Sequence, residues 1–243
     1  MARICARRII ELVALGLMVS LGSGLQGQTS GDSHAGFPMT QGTSWTYRGV
    51  VRWEHGKDEK SSGARVTWKM EILRVIHREH ITAAVVHGFP SELNWSTGNS
   101  VPLNSLLIQT DGGEIYHIDA EQMKPIVDRL DDASDKLEDL LHEDDIFVRV
   151  PLEKGKKFCD ADSLARDDGM YCWVVSAADK APINDVKGLD PAARDLFEIR
   201  YVTNPDDITI KFTPGVGITS YAYHHHGTTA DTELKLVEFH PGP

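Results

Sequence analysis

Cysteine is scarce in this chain, which has three among its 243 residues: Cys5, Cys159 and Cys172. No two of them have the Cys-x-x-Cys spacing, which argues against a thiol redox site. Cys5 falls in an N-terminal segment that we expect to be removed on export, so the other two remain as an even pair in an oxidising compartment. We therefore predict a structural disulfide between Cys159 and Cys172, whose loop closure contributes about 3 kcal/mol in the chain-entropy model.

Apolar runs long enough to cross a membrane are missing after the N-terminal segment. That segment has three arginines, then an apolar stretch at 12–21 and a run of small residues, which is typical of a signal peptide. We expect residues 1–27 to be cleaved and residues 28–36 to form a flexible leader. The mature protein is then exported, to the periplasm or to the medium, with no transmembrane segment.

Positive charge is also in short supply, since 25 Lys and Arg face 36 Asp and Glu and the net charge is −11 with neutral histidines. Residues 1–27 carry a net charge of +2, so the mature chain is left at −13. An acidic surface repels phosphate backbones and anionic lipid headgroups. We therefore expect no nucleic-acid partner.

The common catalytic motifs are absent as well. The chain has no Gly-x-Ser-x-Gly elbow, no phosphate-binding glycine loop and no cysteine placed as a nucleophile. The segment His77-Arg78-Glu79-His80 lacks the His-Glu-x-x-His spacing that sets two zinc ligands on one helical face. We favour a non-catalytic protein without a cofactor.

Two metal sites remain as alternatives. On a strand, His224 and His226 point to one face, roughly 6.5–7 Å apart, and they could hold zinc with a third ligand from His117, His87 or Glu233. Calcium could bind the acidic loop between the cysteines, although the order of its carboxylates does not match the twelve-residue calcium loop; these are Asp160, Asp162, Asp167 and Asp168. We favour the simpler interpretation, strand-end histidines and a solvated loop.

Strand patterns fill most of the remaining chain. Apolar and polar residues alternate over 45–53 and 65–76, and three further strands with turns between them are predicted at 208–212, 218–226 and 234–239. The sequence Asp111-Gly112-Gly113 between two apolar runs predicts a hairpin over 106–118. These patterns predict an antiparallel sheet.

One segment changes to helical spacing. Apolar side chains recur every three or four residues from Ile126 to Leu141, which predicts a helix over 120–143. The predicted fold is a single α+β domain over 37–243. In it, a curved, half-barrel-like antiparallel sheet of about eight to ten strands packs its concave face on this one main amphipathic helix.

A short internal repeat opens two parts of the chain. Phe37-Pro38-Met39-x-x-Gly42-x-x-Trp45 and Val150-Pro151-Leu152-x-x-Gly155-x-x-Phe158 place proline, an apolar residue, glycine and an aromatic residue at identical spacing. The repeat indicates either two related halves, 37–118 and 150–240, joined by the predicted helix, or one local turn used twice.

A curved sheet over a helix is difficult to fill, so we expect a ligand cavity between them. The alternative is that the same aromatic residues simply fill the core. The predicted lining consists of large apolar side chains from strands and helix: Trp45, Tyr47, Trp68, Tyr116, Leu137, Trp173 and Tyr221.

The opening from Pro38 to Tyr47 and the closing Pro-Gly-Val-Gly-x-x-x-Tyr from Pro214 to Tyr221 resemble a group of exported bacterial proteins of unassigned function. Asp168-Gly169-Met170-Tyr171-Cys172-Trp173 and His224-His225-His226-Gly227-Thr228 are similar to the same group. The layout also resembles periplasmic lipoprotein carriers, which implies a sheet that wraps a helix and holds an acyl chain.

These observations favour an exported, non-catalytic protein that binds an apolar or amphiphilic ligand or docks an envelope partner. A metal-dependent hydrolase using His224 and His226 is the first alternative. A structural envelope component that works through its surfaces is the second.

Overall fold

A computed structural model describes residues 36–54 and 61–243 of the chain. The predicted signal peptide, and the leader up to residue 35, lie outside the described residues. The strands are β1 (Ser44–Trp53), β2 (Ser62–Arg78), β3 (Ile81–His87), β4 (Asn104–Thr110), β5 (Glu114–Ile118), β6 (Ile146–Arg149), β7 (Lys157–Phe158), β8 (Trp173–Pro182), β9 (Ala193–Val202), β10 (Asp206–Thr213), β11 (Gly217–His225) and β12 (Ala230–His240). The α-helices are α1 (Ala120–Asp131) and α2 (Ala161–Leu164), and 3-10 turns lie at Pro90–Leu93 and Glu143–Asp145.

The twelve strands form one antiparallel sheet in the order β6-β5-β4-β3-β2-β1-β12-β11-β10-β9-β8-β7. β1 pairs with β12 from Ser44↔His240 to Trp53↔Ala230, which joins the first and last strands. The sheet therefore curls into a nearly closed barrel, with β6 and β7 as its two edges. The prediction of a half-barrel of eight to ten strands on a main helix is wrong, because β1–β12 pairing and the two short edge strands are not visible in local sequence patterns.

The interior of the barrel is filled by side chains. Every strand contributes to one apolar cluster, and Trp45 and Tyr47 of β1 are completely buried in it. Their polar atoms are satisfied across the interior, since Trp45 Nε1 donates to Val216 O (2.6 Å) and Tyr47 OH to Ile218 O (3.0 Å). The period-2 alternation thus places the large aromatic residues inside.

The helix α1 packs on the outer face of the sheet, not on its concave face. β3 and β4 carry apolar side chains on both faces of the sheet. Those on the outer face, including Ile81 and Leu106, must be covered by another element. Leu130 of α1 and Leu140 of the following loop cover them. The predicted position of the helix is therefore wrong.

The predicted length of the helix is also wrong, because α1 ends at Asp131 rather than at 143. The guanidinium of Arg78 donates to the carbonyl oxygens of Leu130, Asp132 and Asp135 at 2.7–2.9 Å, and it satisfies groups that the helix end leaves free. Leu137 then has a φ of 57°, outside the helical region. Leucines with helical spacing thus belong to an irregular loop.

One end of the barrel is covered by the segment 88–103, which we call the cap segment. Three hydrogen bonds attach it to the strands β2, β11 and β12. They are Trp68 Nε1 to Gly88 O (2.8 Å), Tyr221 OH to Asn94 Oδ1 (2.8 Å) and Thr232 Oγ1 to Leu93 O (2.7 Å). Among the described residues, no helix combines the length and apolar content required to cross a bilayer.

Candidate functional site at the open seam

The seam between β6 and β7 is where the barrel stays open. In the described part of the chain these two strands are the sheet edges and do not hydrogen-bond to each other. β7 is short because the chain turns into α2 directly after it. Asp160 caps that helix, since its Oδ1 accepts the backbone N–H groups of Asp162 and Ser163, both at 2.9 Å.

The predicted disulfide is confirmed at this seam. Cys159 follows β7 and Cys172 precedes β8, and the bond joins the two with their Cα atoms 4.9 Å apart. It closes the loop that contains α2. The disulfide therefore holds the turn that ends β7 against the start of β8.

A cleft of about 240 Å³ opens at the seam, beyond the end of β7. Its walls combine carboxylates with aromatic rings, chiefly Glu143, Asp144, Asp160, Tyr171, Trp173 and Tyr201. The carboxylates come from the turn before β6 and from the α2 cap. The rings come from the disulfide loop and from the paired starts and ends of β8 and β9.

The floor of the cleft continues into the core as a row of rings. The Trp173 ring centroid lies 4.9 Å from that of Tyr201 and 5.4 Å from that of Phe147. Phe147 contacts Phe89 of the cap segment at 5.5 Å, and Phe89 stacks on His117 at 3.8 Å. We call these five rings the aromatic row, from the cleft inward: Tyr201, Trp173, Phe147, Phe89 and His117.

The field in the cleft is negative. Hydrogen bonds from Ser163 lower the pKa of the Asp160 carboxyl, so it is ionised at neutral pH. Burial raises the pKa of Tyr201, which keeps that phenol neutral. Arg166, beside the cleft, is engaged elsewhere, because it pairs with Asp168 and its guanidinium lies 5.1 Å from the Tyr171 ring centroid.

His117 is the buried end of the aromatic row. Burial lowers its pKa to about 4, and Asp119, at 3.8 Å from Nδ1, only partly opposes this effect. Its Nε2 is buried and finds no hydrogen-bond partner among the residues that the structure describes. The ring is therefore neutral at physiological pH and stacks on Phe89 as an apolar surface.

The residues predicted to line a cavity are distributed over three places. Trp45, Tyr47, Trp68 and Tyr221 lie in the barrel interior, and Trp173 lies at the seam cleft. Tyr116 packs between the interior and the outer cluster, whereas Leu137 belongs to the outer cluster alone. The structure thus brings four of the seven together and places only Trp173 at the cleft.

Of the histidines predicted as zinc ligands, His224 lies on β11 and His226 directly follows the end of that strand. The rings of His224 and His226 lie 4.8 Å apart, and His224 Nδ1 hydrogen-bonds Asp231. Within residues 36–54 and 61–243, no group of three or more histidine, cysteine or acidic side chains is arranged to hold a metal. In the loop proposed for calcium, Asp160 caps α2 and Asp168 pairs with Arg166.

Sequence reasoning missed Tyr201, Glu143 and Asp144 as site residues. Glu143 is the last residue of the predicted helix and Asp144 follows it, whereas Tyr201 lies near the end of β9, far along the chain. Only the approach of the two sheet edges brings them together. No local signal in the sequence marks that approach.

Comparisons with known proteins give weak similarities. No family model matches this chain, and no significant match is found among curated proteins. A solved structure from Bacteroides fragilis NCTC 9343, described as exported and as having a YmcC-like fold, is similar with 9% identity and a TM-score of 0.41, covering 85% of this chain and 99% of that one. A protein from Parabacteroides distasonis ATCC 8503, described as a lipoprotein, is similar with 10% identity and a TM-score of 0.37, covering 84% and 97%. Similarities at this level transfer neither a fold nor a function to the chain.

Proposed function

We propose that this chain is an exported, non-catalytic binding protein whose ligand enters the seam cleft with an apolar body and a cationic end. The observation that carries the proposal is the composition of the cleft, in which three carboxylates surround the exposed end of the aromatic row. Aromatic faces and carboxylates together favour an ammonium or guanidinium group with carbon attached to it.

The cleft offers such a ligand two kinds of contact. The carboxylates of Glu143, Asp144 and Asp160 attract the charge, and the rings of Trp173 and Tyr201 cover the adjoining carbon atoms. A lysine or arginine side chain and a quaternary ammonium amphiphile share this chemistry. The proposal therefore narrows the expected amphiphilic ligand or envelope partner to a cationic one.

The barrel interior supports a site at the wall rather than in the centre. Residues such as Trp45, Tyr47, Met70 and Phe212 have no exposed surface. Interiors packed to this degree leave little room for an acyl chain. The seam, where strand pairing stops, gives access to aromatic surface without unpacking the core.

The test uses the mature protein purified gently from an exporting host. Ser163→Trp fills the cleft while the backbone N–H that Asp160 caps is retained, and Ala161→Trp adds the same ring on an exposed position of α2. We expect native mass spectrometry to show a bound cationic adduct in the wild type and in Ala161→Trp but not in Ser163→Trp. A bare wild-type mass, or an adduct that survives Ser163→Trp, would contradict the proposal.

A further inference from the structure

The segments that open the two parts of the chain make the same backbone hydrogen bonds. Gly42 donates its N–H to Ile72 O on β2 (2.9 Å), and Gly155 donates to Val175 O on β8 (2.8 Å). In each case the residue after the glycine accepts the N–H of that same strand residue, at 2.9 Å. Both glycines have positive φ, 83° and 87°, so the repeated glycine serves one turn geometry.

The correspondence extends beyond the repeated motif. β2 has an irregularity between Ile72 and Arg74 in its pairing with β3, and β8 has one between Val175 and Ala177 in its pairing with β9. The equivalent strands are thus bulged at equivalent positions. A local turn used twice would not require this second agreement.

Each part also begins against the hairpin of the other. Gly113, in the β4–β5 hairpin, faces Val150, and a Cβ at Gly113 would lie 2.8 Å from Val150 O. Gly217, in the β10–β11 hairpin, faces Phe37, and a Cβ there would lie 2.8 Å from the Phe37 ring. Val150 and Phe37 are the first residues of the two motifs. Residues 37–149 and 150–240 are therefore related by an approximate twofold arrangement, six strands each.

This relationship identifies the counterpart of the open seam. β1 begins the first part and pairs with β12, the last strand of the second, along its whole length. The equivalent pair is β7 with β6, and these strands are not hydrogen-bonded. β7 follows the path of β1 only as far as Phe158, the equivalent of Trp45, and the disulfide loop then leaves the sheet. The second part has no strand equivalent to the remainder of β1, Thr46–Trp53.

The seam cleft lies where that remainder would run. On one side are Ile146 of β6 and the turn before it, and on the other are Phe158 and the start of the disulfide loop. A sheet edge next to such a gap offers unpaired backbone groups to an extended chain. The lining carboxylates select the charge of that chain.

We propose that the seam accepts an extended, basic polypeptide segment, which adds a strand beside β6 and places a lysine or arginine against Trp173 and Tyr201. The inference rests on the proposed function and names its ligand as a peptide rather than a free amphiphile. Charge complementarity supports this partner, since Glu143, Asp144 and Asp160 line the cleft and the chain as a whole carries −11. Backbone hydrogen bonds to β6 hold the segment in place, and the carboxylates of the cleft select a positively charged segment.

The experiment measures fluorescence anisotropy of labelled octapeptides added to the folded, disulfide-bonded protein. One peptide alternates valine with lysine and the other alternates valine with glutamate. Two further lysine peptides carry N-methyl groups on one or the other set of alternate amides, since successive amides face opposite edges of a strand. Decyltrimethylammonium is the non-peptide probe and competes for the cleft.

The matched variants remove the same charge at two places. Asp144→Asn with Asp160→Asn neutralises the cleft, and asparagine keeps the cap of α2. Asp162→Asn with Asp167→Asn neutralises two exposed carboxylates of the same loop that do not line the cleft. We expect the lysine peptide to bind, the glutamate peptide not to bind, and the cleft variant to lose about tenfold or more in affinity while the control keeps it.

The outcomes separate the inference from the proposed function. Strand addition predicts that one N-methylated peptide loses binding and the other keeps it. Equal affinity of the two N-methylated peptides and the unmethylated lysine peptide would overturn the inference. Decyltrimethylammonium binding without peptide binding would leave the proposed function standing and overturn the peptide inference. Failure of every cationic probe would overturn both.

Discussion

The indole Nε1–H of Trp45 donates to the carbonyl oxygen of Val216 at 2.6 Å, and at most 2% of the surface of either residue is exposed to solvent. Two residues further along β1, Tyr47 makes the same kind of bond to Ile218. These bonds cross from β1 to the β10–β11 hairpin, two strands away in the sheet. These hydrogen bonds link β1 to that hairpin inside the barrel, where no water competes for the donors and acceptors.

Removing the Tyr47 hydroxyl should therefore destabilise the fold. Tyr47→Phe leaves the buried Ile218 carbonyl without this donor, and we expect the free energy of unfolding to fall by about 1–3 kcal/mol. Urea denaturation followed by tryptophan fluorescence measures it. Tyr171→Phe is the control, because Tyr171 is 38% exposed; an equal loss in both variants would show that the interior bond is not the cause.

The Cys159–Cys172 disulfide should stabilise the protein and shape the cleft. Cys159→Ser with Cys172→Ser is expected to lower the free energy of unfolding by about 3 kcal/mol. Thermal unfolding of the wild type in reductant should then match that of the variant. If reductant leaves the wild-type midpoint unchanged, the disulfide does not contribute to stability in this way.

The sequence allows the strands and the disulfide to be predicted because both depend on local or simply counted features. Alternation of Trp45, Tyr47 and Trp53 marks the inward face of β1, where Trp45 and Tyr47 are buried and Trp53 is partly buried. The diglycine at 112–113 marks a hairpin, which is confirmed by β4 and β5. Two cysteines left in an exported chain have only each other to pair with. None of these inferences needs knowledge of distant contacts.

The helix and the seam could not be predicted, because both are decided by tertiary contacts. Arg78, on β2, takes the carbonyls at the end of α1, although it lies more than fifty residues before them. Asp144 and Tyr201 share a cleft only because β6 and β7 are the edges of one curled sheet. Hydrophobic periodicity indicates which side chains are buried, but it does not indicate which elements of the fold cover them.

The Arg78 contact gives a prediction of its own. Arg78→Lys replaces a planar fork by a single ammonium that cannot reach all three carbonyls, so we expect the last turn of α1 to fray. Hydrogen exchange of the amides at 128–132 should accelerate, and stability should fall by about 1–2 kcal/mol. Arg65→Lys, at an exposed position of β2, is the control and should change neither. Unchanged exchange in Arg78→Lys would show that α1 ends for another reason.

The buried His117 predicts a pH dependence of stability. Its folded pKa is about 4, below the ordinary value of 6.5, so the unfolded chain binds the proton more readily. The stabilisation by neutral His117 is complete above pH 6.5 and is lost as the pH falls towards 4, a change of about 3 kcal/mol at 1.36 kcal/mol per pKa unit.

Urea unfolding of the wild type and His117→Leu at pH 7 and at about pH 4.5 isolates this contribution. Leucine keeps an apolar contact with Phe89 but does not titrate. Because the remaining carboxylates titrate in both proteins, the comparison is the difference between their pH slopes. We expect the wild type to lose more stability than the variant over this interval, and parallel slopes would contradict the assignment.

The two hairpin glycines test the twofold arrangement through stability. Gly113 and Gly217 have φ of 88° and 92°, and each has an atom of the other half within 3 Å of the position that a Cβ would take. Gly113→Ala and Gly217→Ala should each cost about 2–4 kcal/mol, from left-handed strain and from displacement of Val150 or Phe37.

Gly215 provides the matched control for these two glycines. Its φ is 74°, but no atom of the described residues lies within 4 Å of a Cβ there, so Gly215→Ala should cost only the backbone strain of about 1–2 kcal/mol. Urea denaturation measures all three variants in the same conditions. Similar losses at Gly113 and Gly217, both larger than at Gly215, are expected if the two halves begin against each other's hairpins. A larger loss of stability in only one of Gly113→Ala and Gly217→Ala would mean that the two halves do not pack equivalently. The comparison of β7 with β1 would then no longer indicate that a strand segment is missing at the seam.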